Sequence, residues 1–122
     1  MLSFSFYLDN GEEEEVVDIP DELYQWLTHS EFSKIGQSEE RDVKIDGEIT
    51  TIAVVPLMGS NRRKLSNFFR DAIVQESDRM LSQLSHSSPK EDYLAASYAL
   101  RVLQNLRKLI EDEKFKYLSR AY

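Results

Sequence analysis

Residues 43–56 read Val43-Lys44-Ile45-Asp46-Gly47-Glu48-Ile49-Thr50-Thr51-Ile52-Ala53-Val54-Val55-Pro56. Val43 and Ile45 alternate with Lys44, Asp46-Gly47 supplies a turn, and Ile49 to Val55 returns, which is the pattern of a β-hairpin. The unbroken apolar stretch Ile52-Ala53-Val54-Val55 predicts a central strand covered on both faces. Pro56 closes it, because proline has no N–H for the ladder.

A second hairpin lies upstream. Phe4, Phe6 and Leu8 alternate with Ser3, Ser5 and Tyr7, a period of two that marks a half-buried strand. Asn10-Gly11 follows and predicts a type I′ turn, since both residues accept positive φ. The return strand is Glu13 to Ile19, centred on Val16 and Val17. Its run Glu12–Glu15 suits a solvated edge, where charge also blocks edge-to-edge pairing. Between the hairpins, Pro20 with Asp21 and Glu22 predicts a helix start. Leu23, Trp26 and Leu27 form its expected buried face. Residues 30–42 read as a loop with one further turn, Glu31 to Ile35, stopped at Gly36.

Downstream, two helices are expected. Ser60 or Asn61 is placed to cap the first, whose apolar positions include Leu65, Phe68, Phe69, Ala72, Ile73, Met80, Leu81 and Leu84. Ser82 to Ser88 is a polar break. Ser88-Pro89-Lys90-Glu91 then forms a capping box with proline at the first helical position. Ala95, Ala99, Val102, Leu106, Leu109, Ile110 and Phe115 carry the second helix over 90–118. The order β-β-α-β-β-α-α predicts a single α+β domain over 1–122. Its small antiparallel sheet of two hairpins carries a two-helix C-terminal hairpin on one face.

Several functions are excluded at this level. No apolar run approaches the ~20 residues of a membrane span. The opening MLSFSFYLDN has no basic region and turns acidic by Asp9, unlike a secretory signal. The absence of cysteine removes thiol chemistry, Cys-ligated zinc and disulfides. These features predict a cytoplasmic domain. With four glycines in the chain, no phosphate-cradling glycine loop exists. Met58-Gly59-Ser60-Asn61 lacks the second glycine of a nucleophile elbow. Asp9, Glu12 and Glu14 near a turn do not match a calcium loop. His29 and His86, the two histidines, could act as a dyad only if both rings met in one cleft, and the further alternative of a small hydrolase using either one requires a cleft that holds a histidine beside an acidic residue. No catalytic residue, metal ligand or cofactor is expected, and the chain does not read as an enzyme.

Charge is the remaining signal. Residues 1–59 hold 14 acidic and 3 basic side chains, and residues 60–122 hold 8 and 12. The halves therefore carry −11 and +4 within a net −7. A charge split of this size points to a charged partner, or to an acidic half neutralised by the basic half inside the fold. Nucleic acid is disfavoured, since its binders are usually basic. A basic protein is the better match, because complementary fields steer association. The expected contact residues are Asp9, Glu12, Glu13, Glu14, Glu15, Asp18, Asp21 and Glu22, with Tyr24 and Trp26 as aromatic anchors. The most concrete form of this expectation is an immunity or antitoxin-type inhibitor of a bacterial nuclease toxin, whose carboxylates fill the toxin's cationic cleft. Arg62-Arg63-Lys64 at a helix start opposes the helix dipole and so predicts an anion, internal or bound. The alternative is a self-associating subunit: helix 90–118 is apolar on several faces, which suits a homodimer.

Overall fold

In a computed structural model, residues 2–85 and 90–120 are described. The fold is α+β: three α-helices and a five-stranded antiparallel sheet. The first hairpin pairs β1 (Leu2–Leu8) with β2 (Glu13–Ile19). Helix α1 (Asp21–Thr28) and a 3₁₀ turn (Glu31–Lys34) lead to the second hairpin, β3 (Glu39–Ile45) and β4 (Glu48–Pro56). Helices α2 (Ser60–Ser85) and α3 (Lys90–Glu111) follow, and then β5 (Phe115–Ser119).

The fifth strand departs from the expected order. The sheet runs β2-β1-β5-β4-β3, so the two hairpins never pair directly along a strand. β5 lies between them, with Leu118 opposite both Phe6 and Val55. The helix expected over 90–118 stops at Glu111. There the amides of Asp112 and Phe115 turn back onto the carbonyls of Leu109 and Asp112. Phe115, Tyr117 and Leu118 are apolar on both faces of the strand, as befits a central position.

Two apolar clusters lie on opposite faces of the sheet. Phe4, Phe6, Val17, Ile19, Phe115 and Leu118 face the helices and pack with Leu65, Phe69, Leu103, Leu106 and Ile110. Fully burying one such Leu or Ile is worth about 1.5–3 kcal/mol. Tyr7 and Tyr117 point the other way and join Val43 and Val54, flanked by Ile45 and Ile52. This second cluster exists because the sheet curls. The Lys44 amide donates to the Gly11 carbonyl at 2.7 Å, and Glu12 bridges Lys44, so β3 folds back onto the β1–β2 loop. Gly11 permits that approach: its φ is +87°, and a Cβ there would sit 3.0 Å from the Asp42 carbonyl oxygen.

The two hairpin turns differ. Asp46 and Gly47 both have positive φ, the type I′ pair. Asn10 does not, so the first loop is the three residues Asp9-Asn10-Gly11, closed by Gly11 N–H to Leu8 O and Leu8 N–H to Glu12 O. The Asn10 side chain instead accepts from the Glu12 amide at 3.0 Å. β3 begins at Glu39, inside the expected loop, and its first four residues are exposed. The Ser88-Pro89 capping signal, His86 and Tyr122 lie outside the described residues.

Candidate functional site

The carboxylates singled out by the sequence lie on β2, in the loop before it and in the first turn of α1. β2 is an edge strand, and its register fixes where each acid points. Val17 and Ile19 enter the helix-side core, so Val16 and Asp18 project from the helix-free face. Opposite Phe6 and Tyr7 the pairing skips Glu14, which bulges out and forms an ion pair with Lys114 at 3.3 Å. Glu13 accepts from the Tyr7 hydroxyl at 3.3 Å. Asp9, Glu12, Glu15 and Asp18 are exposed. So are Asp21 and Glu22, in the first turn of α1 where carboxylates favour the helix dipole.

Of the 14 carboxylates in residues 1–59, three form ion pairs among the described residues: Glu14, Glu31 and Glu39. Glu31 and Glu39 pair within their own half, and the Glu14–Lys114 contact is the link to the basic half. Apart from that contact, no ion pair among the described residues joins the two halves.

The aromatic anchors are divided. Tyr24 is buried, tilted against Phe4 at 6.2 Å between ring centroids, and so is a core residue rather than a surface anchor. Trp26, expected in the buried face of α1, is 43% exposed and rests on Phe68 at 5.8 Å. The helical phase is rotated by one step from the expected one: Leu23, Tyr24 and Leu27 face inward. Tyr7 and Tyr117 are also interior. Burial pushes the Tyr7 hydroxyl up to about 12, with Ser5 opposing and Glu13 adding to the rise.

Arg62, first of the basic cluster, is a structural staple. Its Nη1 donates to the carbonyls of Ile110 and Asp112, at 2.7 and 2.9 Å. Its Nη2 donates to those of Leu57 and Phe115, both at 2.7 Å. The internal partner is thus the backbone around the α3–β5 turn, not the acidic half. Burial lowers the Arg62 pKa, while Glu113 and Asp112 oppose the shift. Arg63 and Lys64 are exposed. Asn61 does not cap α2 with an accepted bond; its side-chain amide donates to the Pro56 carbonyl.

His29 is exposed at the end of α1, where its Nδ1 contacts the Gln25 carbonyl at 2.8 Å, and no carboxylate bonds to it. No group of three or more His, Asp or Glu side chains suited to a metal ion occurs among the described residues. None of their helices is long and apolar enough to cross a membrane.

Sequence reasoning missed Arg120. Its Nη1 donates to the carbonyls of Phe32 and Ile35, and its guanidinium lies over the Phe32 ring. A lone arginine after an apolar strand carries no signal for a contact 88 positions away in the chain. Comparison of the chain with protein-family models, curated protein sequences and solved structures finds no match.

Proposed function

We propose that this protein is a binding module, not an enzyme, and that it captures a basic protein through its acidic N-terminal edge. The observation that carries this reading is the set of carboxylates from Asp9 to Glu22, all exposed except the half-buried Glu13, of which Glu14 alone has an ion-pair partner among the described residues. Crowding like charges on one strand and one helix head opposes folding. A partner that brings cations relieves that repulsion and gains affinity from it. Asp9, Glu12, Glu13, Glu14, Glu15, Asp18, Asp21 and Glu22 form the surface, and Trp26 is its exposed aromatic. The most specific version is a cytoplasmic inhibitor of a nuclease toxin, in which these carboxylates occupy a cleft built for phosphates.

The test compares wild type with a variant carrying Glu12→Gln, Glu13→Gln, Glu14→Gln, Glu15→Gln, Asp21→Asn and Glu22→Gln. Wild type should recover a basic protein from the native lysate at low salt, with weaker recovery at about 0.5 M salt. The variant should keep its circular dichroism and lose that protein. Purified wild type should then suppress any nuclease activity of the captured protein. A folded variant that captures the same protein equally well overturns the proposal, as does a wild-type eluate without a basic protein.

A second reading, self-association through the helices, draws on a different observation. Val74, Leu81, Leu94 and Tyr98 are 52–59% exposed along α2 and α3. Leu103 and Leu106 are core residues, so they cannot report on it. Leu81→Glu with Leu94→Glu would lower a concentration-dependent mass in solution without unfolding the chain.

A further inference from the structure

Arg62 and Arg120 are both partly buried guanidinium groups, but they are satisfied very differently. Four carbonyls accept from Arg62, and Asp112 and Glu113 lie near enough to favour its charge. Arg120 gives two hydrogen bonds, both from Nη1. Its Nε–H and its Nη2 hydrogens bond to no described residue, and no carboxylate among those residues pairs with it. Its pKa is lowered by burial alone. Buried cations are ordinarily paired, and an exception calls for an explanation.

A cleft of about 150 Å³ adjoins Arg120. Phe4, Leu27, Phe32 and the ring of Tyr24 supply its apolar lining, and Tyr24, Thr28 and Ser33 bring hydroxyl groups. The Thr28 and Ser33 hydrogens are already committed: Thr28 donates to the Gln25 carbonyl at 2.8 Å and Ser33 to the Ser30 carbonyl at 3.0 Å. Arg120 is the one cationic side chain in that lining, and so the group to hold an anion there. The rings are held firmly, since Phe32 stacks on Phe4 at 5.3 Å and meets Phe69 edge-on at 5.3 Å. An apolar space of about 150 Å³ accommodates one benzene ring, and typical nucleotide- or drug-sized sites are two or more times larger.

We propose that this cleft binds a small single-ring aromatic carboxylate. The ring lies among Phe4, Tyr24, Leu27 and Phe32, and the carboxylate accepts from Nε and Nη2 of Arg120. That side-on pair is the fork geometry in which arginine holds a planar carboxylate. The site is separate from the acidic edge and does not depend on the partner proposed above.

The full chain, labelled with ¹⁵N, is titrated with phenylacetate, with its neutral isostere 2-phenylethanol, and with acetate. Phenylacetate should give saturable shifts at the amides of Thr28, Phe32, Ser33 and Arg120. 2-Phenylethanol should bind about tenfold more weakly or worse, the loss expected for one charge-assisted pair, and acetate should not saturate. Arg120→Gln should abolish the difference between acid and alcohol. Because Arg120 also ties β5 to the 3₁₀ turn, Ser33→Trp serves as a second variant: it leaves the guanidinium in place and blocks the mouth from an exposed position. It should stay folded and lose phenylacetate. The proposal is overturned by unsaturable shifts up to about 10 mM phenylacetate, by equal affinity for acid and alcohol, or by undiminished binding in folded Ser33→Trp.

Discussion

Arg62 shows how one side chain can fix a junction between elements. The carbonyls it collects belong to Leu57 after β4, Ile110 and Asp112 at the end of α3, and Phe115 at the start of β5. The last carbonyls of a helix have no partners within it, and here a guanidinium from α2 supplies one. Arg62→Ala removes four charge-assisted bonds and strands several half-buried carbonyls. It should lower stability by about 2–4 kcal/mol, read as a lower urea midpoint with unchanged slope. Arg62→Lys should recover only part of this, since an ammonium cannot reproduce the planar fork. Arg63→Ala, at the exposed next position of the same cluster, should change stability by no more than about 0.5 kcal/mol. A large loss at Arg63, or none at Arg62, would remove the staple from the account of the fold.

At the scale of elements, the decisive feature is β5. The period-2 hairpins and the α+β class were legible, because alternation and an Asp-Gly turn are local signals. The break in the second long helix was not. Phe115 stands five and six positions after Ile110 and Leu109, about 140° and 120° off their helical phase, so its spacing gives only a weak sign of the break at a single residue. What ends α3 is the Asp112 turn, whose side chain accepts from the Lys114 amide at 3.1 Å, together with the docking of Phe115–Ser119 between two hairpins already formed by earlier chain. A strand made central by distant partners leaves only a weak local trace. The candidate site divides in the same way. Exposed carboxylates could be read from a charge run, whereas the choice between Tyr24 and Trp26 turned on a single step of helical phase set by packing against Phe4. Native-state hydrogen exchange should rank these elements. The Leu118 amide, in the strand that joins both hairpins, should exchange only through global unfolding. Amides at 73–82 should exchange faster, because no described side chain between Ile73 and Leu100 is buried. Equal protection in the two regions would contradict a core centred on β5.

For the whole molecule, the question is which electrostatic term prevails. Six ion pairs occur among the described residues, and five of them have both side chains more than a third exposed. Pairs of that kind contribute about 0–1 kcal/mol each. Against them stands a half-chain carrying −11, with its carboxylates close together on β2 and α1. If the pairs governed stability, added salt would weaken the fold. If repulsion along the acidic edge governs it, salt would strengthen the fold, because the Debye length shrinks from about 30 Å at 0.01 M to about 10 Å at 0.1 M. The geometry favours repulsion, since neighbouring acids on one strand and one helix turn lie well inside that range. The urea midpoint should therefore rise between about 0.01 and 0.3 M NaCl, by an amount equivalent to about 1 kcal/mol. The variant neutralised at Glu12–Glu15, Asp21 and Glu22 should begin more stable at low salt and gain less from added salt. A wild-type midpoint that falls with salt would show the acidic edge to be compensated inside the fold. It would then have no unspent repulsion for a basic partner to relieve.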